Sequence, residues 1–189
     1  YKMPQEIRKL IFNKNAKSIG SVLDLGCGTG LVGLEIGKNC NYLEGIDLSA
    51  LMIKEAKKKN IYNKLTKTDI IEYLTSKTLN FDLFIAADVL VYIGDLPKVF
   101  REIKKRNKKS GKFIFTTEHN DGKNFKLEKS GRFSHSYDYI TKLSSKFDYN
   151  IIFFKKVKIR KEKENFIVGG LYMLEFWSLF ITKFVLTQK

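Results

Sequence analysis

Four aspartates recur along the first half of the chain, Asp24, Asp47, Asp69 and Asp88, each closing or nearly closing a strand-like run: VLDL, YLEGID, KLTKTD and FDLFIAAD. Their spacing is close to the length of one strand plus one helix. In a parallel sheet all four would reach the same edge, the carboxyl ends of the strands, outside which ligands bind in open α/β folds. The chain carries a formal net charge of +15. A phosphate site in such a chain calls for cations or bare backbone amides at that edge, whereas a row of anions calls for a ligand with positive charge and several hydrogen-bond donors. S-adenosylmethionine, with its sulfonium, amino group, ribose hydroxyls and adenine amine, fits that description.

The stretch VLDLGCGTGLVG, Val22 to Gly33, can be read in two frames. Gly28, Gly30 and Gly33 make the G-x-G-x-x-G of dinucleotide sites. Gly26, Gly28 and Gly30 make G-x-G-x-G with Asp24 two residues ahead, and the row of acids favours this second frame. On that reading Asp47, followed by Leu48, accepts from both ribose hydroxyls in a charge-assisted arrangement. Asp69 accepts from the adenine amine while the backbone N–H of Ile70 donates to a ring nitrogen. Asp24 and the Gly26-Cys27-Gly28 turn face the aminoacyl end, where glycine lets the main chain approach without a Cβ. Gly30 and Asp88 complete the expected cofactor site.

Methyl transfer from a sulfonium is an in-line displacement, so alignment supplies much of the rate and a base is needed only for a protonated acceptor. The candidates for that role are Tyr92, His119 and His135, with Glu118, Arg132 and Tyr137 beside the acceptor. Each has a plainer alternative. His119 is also an exposed loop histidine, His135 a loop-fixing contact beside a Ser134 or Ser136 helix cap, and Arg132 either a clamp for an acidic substrate or a loop tie. The segment AADVLVY lacks the Asn/Asp-Pro-Pro-Tyr/Phe pattern of many enzymes that methylate nucleic-acid or glutamine nitrogens. Cys27 and Cys40 show no metal-ligand spacing with either histidine and read as ordinary buried thiols in a reducing, cytoplasmic setting.

The elements that must position these residues alternate. Strand-like runs are expected at 20–25, 42–47, 64–69, 81–88 and 112–118, with helices at about 30–38, 50–59, 70–76 and 96–107, behind an opening helix over 4–13. That order predicts a doubly wound α/β domain with a mostly parallel sheet covered on both faces. A loop from Asn120 to Ser134, a helix at 136–146 and two long runs, YNIIFFKKVKIRKE and NFIVGGLYMLEF, follow. Strands this close in sequence pair antiparallel, so the sheet should end in a hairpin turning at 161–165. One domain over 1–175 is expected, with an apolar tail at 176–189 that Lys183 interrupts and that is too short to span a bilayer.

Composition is that of a globular protein, 43% hydrophobic and 29% charged. Lys and Arg together number 35, of which only Arg8, Arg101, Arg106, Arg132 and Arg160 are arginine. Nucleic-acid recognition leans on arginine forks, so the excess lysine reads first as solvated surface.

The string VLDLGCGTG, followed by GIDLS with Met52 and Ala56 in the next helix, resembles the class I S-adenosylmethionine-dependent methyltransferases. Tyr1 and Pro4, FDLFIAADVLVYIGDL, FIFTTE, SGRFSHS and IRKEKENFIVGGLYML further resemble the methyltransferase domain of bacterial TPR-repeat-containing methyltransferases, without the helical repeats. The resemblance implies an enzyme that transfers a methyl group from S-adenosylmethionine, leaving S-adenosylhomocysteine, to an acceptor it does not identify, with a small molecule favoured. Two other readings stay open: a lysine-rich RNA-associated methyltransferase or non-catalytic partner protein, and a nicotinamide-dependent oxidoreductase using Gly28, Gly30 and Gly33.

Overall fold

A computed structural model of the chain describes residues 2–12, 18–162 and 165–178. In chain order the elements are α1 (Met3–Ile11), β1 (Ile19–Leu25), α2 (Leu31–Ile36), β2 (Cys40–Asp47), α3 (Ala50–Lys58), β3 (Lys64–Lys67), α4 (Ile70–Ser76), β4 (Leu83–Ala86) and α5 (Pro97–Arg106). These are followed by β5 (Gly111–Asn120), β6 (Phe125–Leu127), β7 (Phe133–Ser136), α6 (Tyr137–Lys146), β8 (Tyr149–Glu162) and β9 (Asn165–Phe176).

The first five strands lie in the order β3-β2-β1-β4-β5, all parallel, and β9 and β8 extend the sheet beyond β5 as an antiparallel hairpin. β1 therefore has β2 on one side and β4 on the other, which is the point where the winding of the sheet reverses. Alternation along β1 feeds both faces. Leu23 and Leu25 join Phe84, Phe100, Phe113, Phe115 and Tyr172 on one side, and Val22 joins Met3, Ile7, Ile36, Ile85 and Met173 on the other. Asp24 falls on the Val22 side, where the pattern would otherwise place an aliphatic residue.

The doubly wound domain and closing hairpin match expectation; several boundaries do not. The segment expected to be a loop from Asn120 to Ser134 holds two short strands. β7 runs parallel to the last residues of β5 (Glu118 beside Ser134, His119 beside His135) and β6 pairs antiparallel with β7. Their residues carry little strand signal because β7 forms through pairing with β5, and β6 through pairing with β7, rather than through local preference. The helix expected at 30–38 ends at Ile36 in a 3₁₀ turn over Gly37–Asn39, the strand expected at 64–69 ends at Lys67, and the one at 81–88 narrows to Leu83–Ala86. Of the expected tail, Phe176 ends β9 and Trp177 and Ser178 follow it, while 179–189 lie outside the described residues, as does Tyr1.

The hairpin is seated by close backbone approach. A Cβ at Gly169 would fall on the Ile159 side chain and 2.5 Å from the Thr117 carbonyl oxygen. Two register shifts, between Ile151 and Phe153 and between Lys158 and Arg160, bend β8, which forms one outer edge of the ladder. Gly169→Ala is expected to destabilise the protein by about 1–3 kcal/mol through overpacking. Chemical denaturation reads this, and an unchanged midpoint would contradict the packing described.

Candidate functional site

At the carboxyl ends of β1, β2 and β4 the chain leaves a cleft of about 420 Å³, lined by Asp24, Gly26, Cys27, Gly28 and Thr29 from the first turn, Asp47, Ser49 and Met52 from the second, and Ala87, Asp88, Val89 and Tyr92 from the fourth. Pro4 of α1 closes one side. The volume lies in the range of small-ligand pockets. A larger hollow of about 550 Å³ lies at the opposite edge of the sheet, lined by Ile19, Leu83, Gly111 and Trp177 among others. It contains none of the four strand-end aspartates.

The turn after β1 needs its glycines for separate reasons. Gly26, Gly28 and Gly30 have φ of 68°, 55° and 84°, a region that other residues enter at a cost. Gly26 also lies against Val89, whereas a Cβ on Gly28 would meet nothing within 4 Å and would simply occupy open space. The Gly28 N–H donates to Asp47 Oδ2 at 2.9 Å and the Ser49 N–H to Asp47 Oδ1 at 2.8 Å. Asp47 is thus pinned by one backbone donor from each of two turns. The Gly28 amide is thus engaged by a carboxylate within the protein.

Asp88 lies in the left-handed region at φ 55°, its own N–H donating to Thr116 Oγ1 of β5 at 2.8 Å. Aspartate enters that region more readily than most non-glycine residues. Asp24, Asp47 and Asp88 therefore converge, as their spacing implied. Asp69 does not join them in the cleft lining. It caps α4, its Oδ1 accepting from the N–H groups of Ile71 and Glu72, and the end of β3 is tied to β2 by Thr68 N–H donating to the Asp47 carbonyl. Leu48 stands 67% exposed beside Asp47, and Ile70 is buried behind Asp69.

Sequence reasoning missed Tyr62. It lies between α3 and β3, and its hydroxyl donates to Asp24 Oδ2 at 2.7 Å. To reach that acid its ring crosses three glycines: a Cβ would meet it at 3.0 Å from Gly30, 2.6 Å from Gly33 and 2.8 Å from Gly45. Gly33, which completes the dinucleotide frame in the sequence, is glycine here because a tyrosine passes over it. The only local signal was a glycine in the middle of β2 with no turn to explain it. Asp24 itself is 1% exposed. Burial raises its pKa to about 7 against the pull of the Tyr62 donor, and Asp47 adds to the rise. Burial also raises both thiols, Cys40 to about 11, so neither is a ready nucleophile.

Of the candidate catalytic side chains, Tyr92 reaches the cleft and is 62% exposed. Its hydroxyl accepts from Arg132 Nη2 at 3.2 Å, the guanidinium stacks 5.4 Å over its ring, and Arg132 Nη1 stands 3.7 Å from Glu118 Oε1. The two histidines are not part of the cleft lining. His119 Nε2 faces Asp121 at 3.2 Å and its ring packs against Phe154, as does that of Tyr137. His135 is fully buried, its Nε2 directed at the carbonyls of Ile93 and Gly94 at 3.1 and 2.8 Å, and burial lowers its pKa. That is the geometry of a residue fixing the β4–α5 connection, next to Ser136, which caps α6 by accepting from Tyr139 N–H. Among the described residues no group of three His, Cys, Asp or Glu could hold a metal ion, and no helix is long and apolar enough to cross a membrane.

An acid with a folded-state pKa of about 7 against 3.8 unperturbed holds a proton that the unfolded chain lacks between those values. Its contribution to stability is full below about pH 4 and is lost as the pH rises through 7. Asp24→Asn keeps an acceptor for Tyr62 and removes the charge. The variant should melt higher than the parent at pH 8, with the difference shrinking toward pH 5; a gap independent of pH would refute a buried titrating carboxyl.

A sequence family described as "Methyltransferase domain" matches residues 16–167. The chain is 36% identical over 110 residues to the uncharacterized protein MJ1252 of Methanocaldococcus jannaschii, covering 58% of this chain and 41% of that one. It is 30% identical over 99 residues to the ubiquinone biosynthesis O-methyltransferase of Coxiella burnetii, covering 51% and 42%. The chain thus spans less than half the length of these curated relatives. The solved N-methyltransferase NodS of Bradyrhizobium japonicum, in complex with S-adenosylhomocysteine, superposes with a TM-score of 0.73 at 18% identity, over 92% of this chain and 85% of that one. A parallel sheet reversing at β1, a terminal antiparallel hairpin and a family match over most of the sequence lead to one assignment: the chain belongs to the methyltransferase-domain family and has the class I methyltransferase fold.

Proposed function

We propose that the protein binds S-adenosylmethionine in the cleft at the ends of β1, β2 and β4 and transfers its methyl group to a small-molecule acceptor. The observation that carries this reading is the convergence of Asp24, Asp47 and Asp88 on one cleft in a chain of charge +15. Such a cleft repels a pyrophosphate and suits a cationic nucleoside. Asp47, already oriented by two backbone donors, would meet the ribose hydroxyls. Leu48 is exposed where an adenine face could rest, with Asp69 and the Ile70 N–H at its edge. Gly28 leaves open space for the aminoacyl group beside Asp24.

The reaction needs little further chemistry from the chain. As the acceptor atom attacks, the carbon–sulfur bond breaks, its electron pair stays on sulfur, and the product is S-adenosylhomocysteine. Tyr92 borders the cleft and is held by Arg132, so its hydroxyl is the positioned group best placed to orient an acceptor. The small-molecule class is supported by the Coxiella relative, named for ubiquinone biosynthesis, and the likeness of SGRFSHS and the hairpin to the TPR-repeat-containing methyltransferases supports the same chemistry without naming an acceptor.

Calorimetry with S-adenosylhomocysteine tests the reading: saturable binding is expected, and folded protein that binds none refutes it. Asp47→Ala should weaken that binding by about 2 kcal/mol, roughly thirtyfold, through loss of charge-assisted hydrogen bonds. NADH titrated into the same protein should give no saturable signal, and if it binds while S-adenosylhomocysteine does not, the dinucleotide frame is the right one.

A further inference from the structure

We propose that Tyr62 is a positioning residue that sets the charge on Asp24, so that taking up the cofactor is coupled to release of a proton from that acid. The inference rests on the cofactor reading above and deepens it. Asp24 stands between two environments. In front it lines the cleft, and behind it the Tyr62 hydroxyl donates at 2.7 Å from a ring threaded across Gly30, Gly33 and Gly45. Three glycine contacts with one ring fix where that hydroxyl points, and it points at a carboxylate oxygen.

The titratable groups around Asp24 are Asp47 from the end of β2, Cys27 from the turn, Cys40 from the start of β2 and Tyr62 itself, with Asp88 and Tyr92 after β4 lining the same cleft. None is a cation. Burial and the neighbouring carboxylate raise the Tyr62 hydroxyl far above its ordinary range, so it stays protonated and serves only as a donor. One neutral donor lowers the cost of charging Asp24 without removing it. In the free protein the acid is therefore poised to titrate near neutrality. The aminoacyl ammonium that S-adenosylmethionine and S-adenosylhomocysteine share supplies the missing positive charge in the cleft, Asp24 ionises, and its proton leaves to solvent. Affinity and protonation are then linked.

Calorimetry with S-adenosylhomocysteine from pH 6 to 9, in two buffers of different ionisation enthalpy, reads both quantities. The parent protein is expected to release a proton on binding near pH 7 and to lose roughly tenfold in affinity between pH 8 and pH 6. Tyr62→Phe keeps the ring and removes the donor, so its affinity profile should move to higher pH and recover by pH 9. Site-specific 3-fluorotyrosine at position 62, the same shape with a stronger donor, should move the profile the other way and decides the matter if Tyr62→Phe does not fold. Asp24→Asn should abolish the proton release. Equal weakening at every pH in Tyr62→Phe, or binding by the parent without proton release, would show that Tyr62 only packs and overturn the proposal. Absence of binding at any pH by folded parent protein would instead overturn the cofactor reading.

Discussion

Three carboxylates brought to one edge of a sheet repel one another, and much of the local structure exists to hold them there. Each is restrained by different means. Asp47 is held by backbone N–H groups from two turns, Asp24 by a tyrosine reaching through from behind, and Asp88 by a left-handed backbone tied to Thr116. Remove any one restraint and the acid can swing toward water, where its charge is better solvated. The glycine in the middle of β2, which gives the Tyr62 ring its passage, and the threonine on β5, which holds Asp88, both serve this one electrostatic demand.

The surroundings of the cleft are built in two ways, divided where β4 ends. On the β1–β3 side short turns, backbone donors and glycines build a site whose shape depends little on flexible side chains. On the other side the wall is assembled from distant pieces. Tyr92 follows β4, Glu118 belongs to β5, and Arg132 precedes β7, and the three meet only because β7 pairs with the end of β5. A cofactor common to a whole family suits the first kind of construction. An acceptor that differs from one member to the next suits the second, because a few substitutions in short strands can rebuild it.

The same division explains what the sequence disclosed. Asp24, Asp47 and Asp88 were legible because each depends on its own strand and turn, and the strand order follows from alternation and handedness. Asp69 was legible as an acid near the end of β3, but neither that the strand stops at Lys67 nor that Asp69 caps α4. Tyr62 was not legible, since its partner lies 38 residues away and nothing near it marks a polar role. Gly33 was visible yet misleading: it fits a dinucleotide frame while serving a ring. β6 and β7 were hidden because three- and four-residue strands take their conformation from a neighbour. His135 sat in a suggestive segment, and only the fold reveals that its ring faces two carbonyls.

The bent outer strand β8 bears on the surplus of lysine. Lys155, Lys156 and Lys158 lie along it, and β3, at the opposite border, carries exposed Lys64 and Lys67. Unpaired backbone at a sheet border invites another chain to add a strand, and bulges together with lysines discourage it by geometry and by repulsion. The lysines of these two strands thus read as insulation: they keep neighbouring molecules from zipping together while the acidic cleft stays free for its ligand.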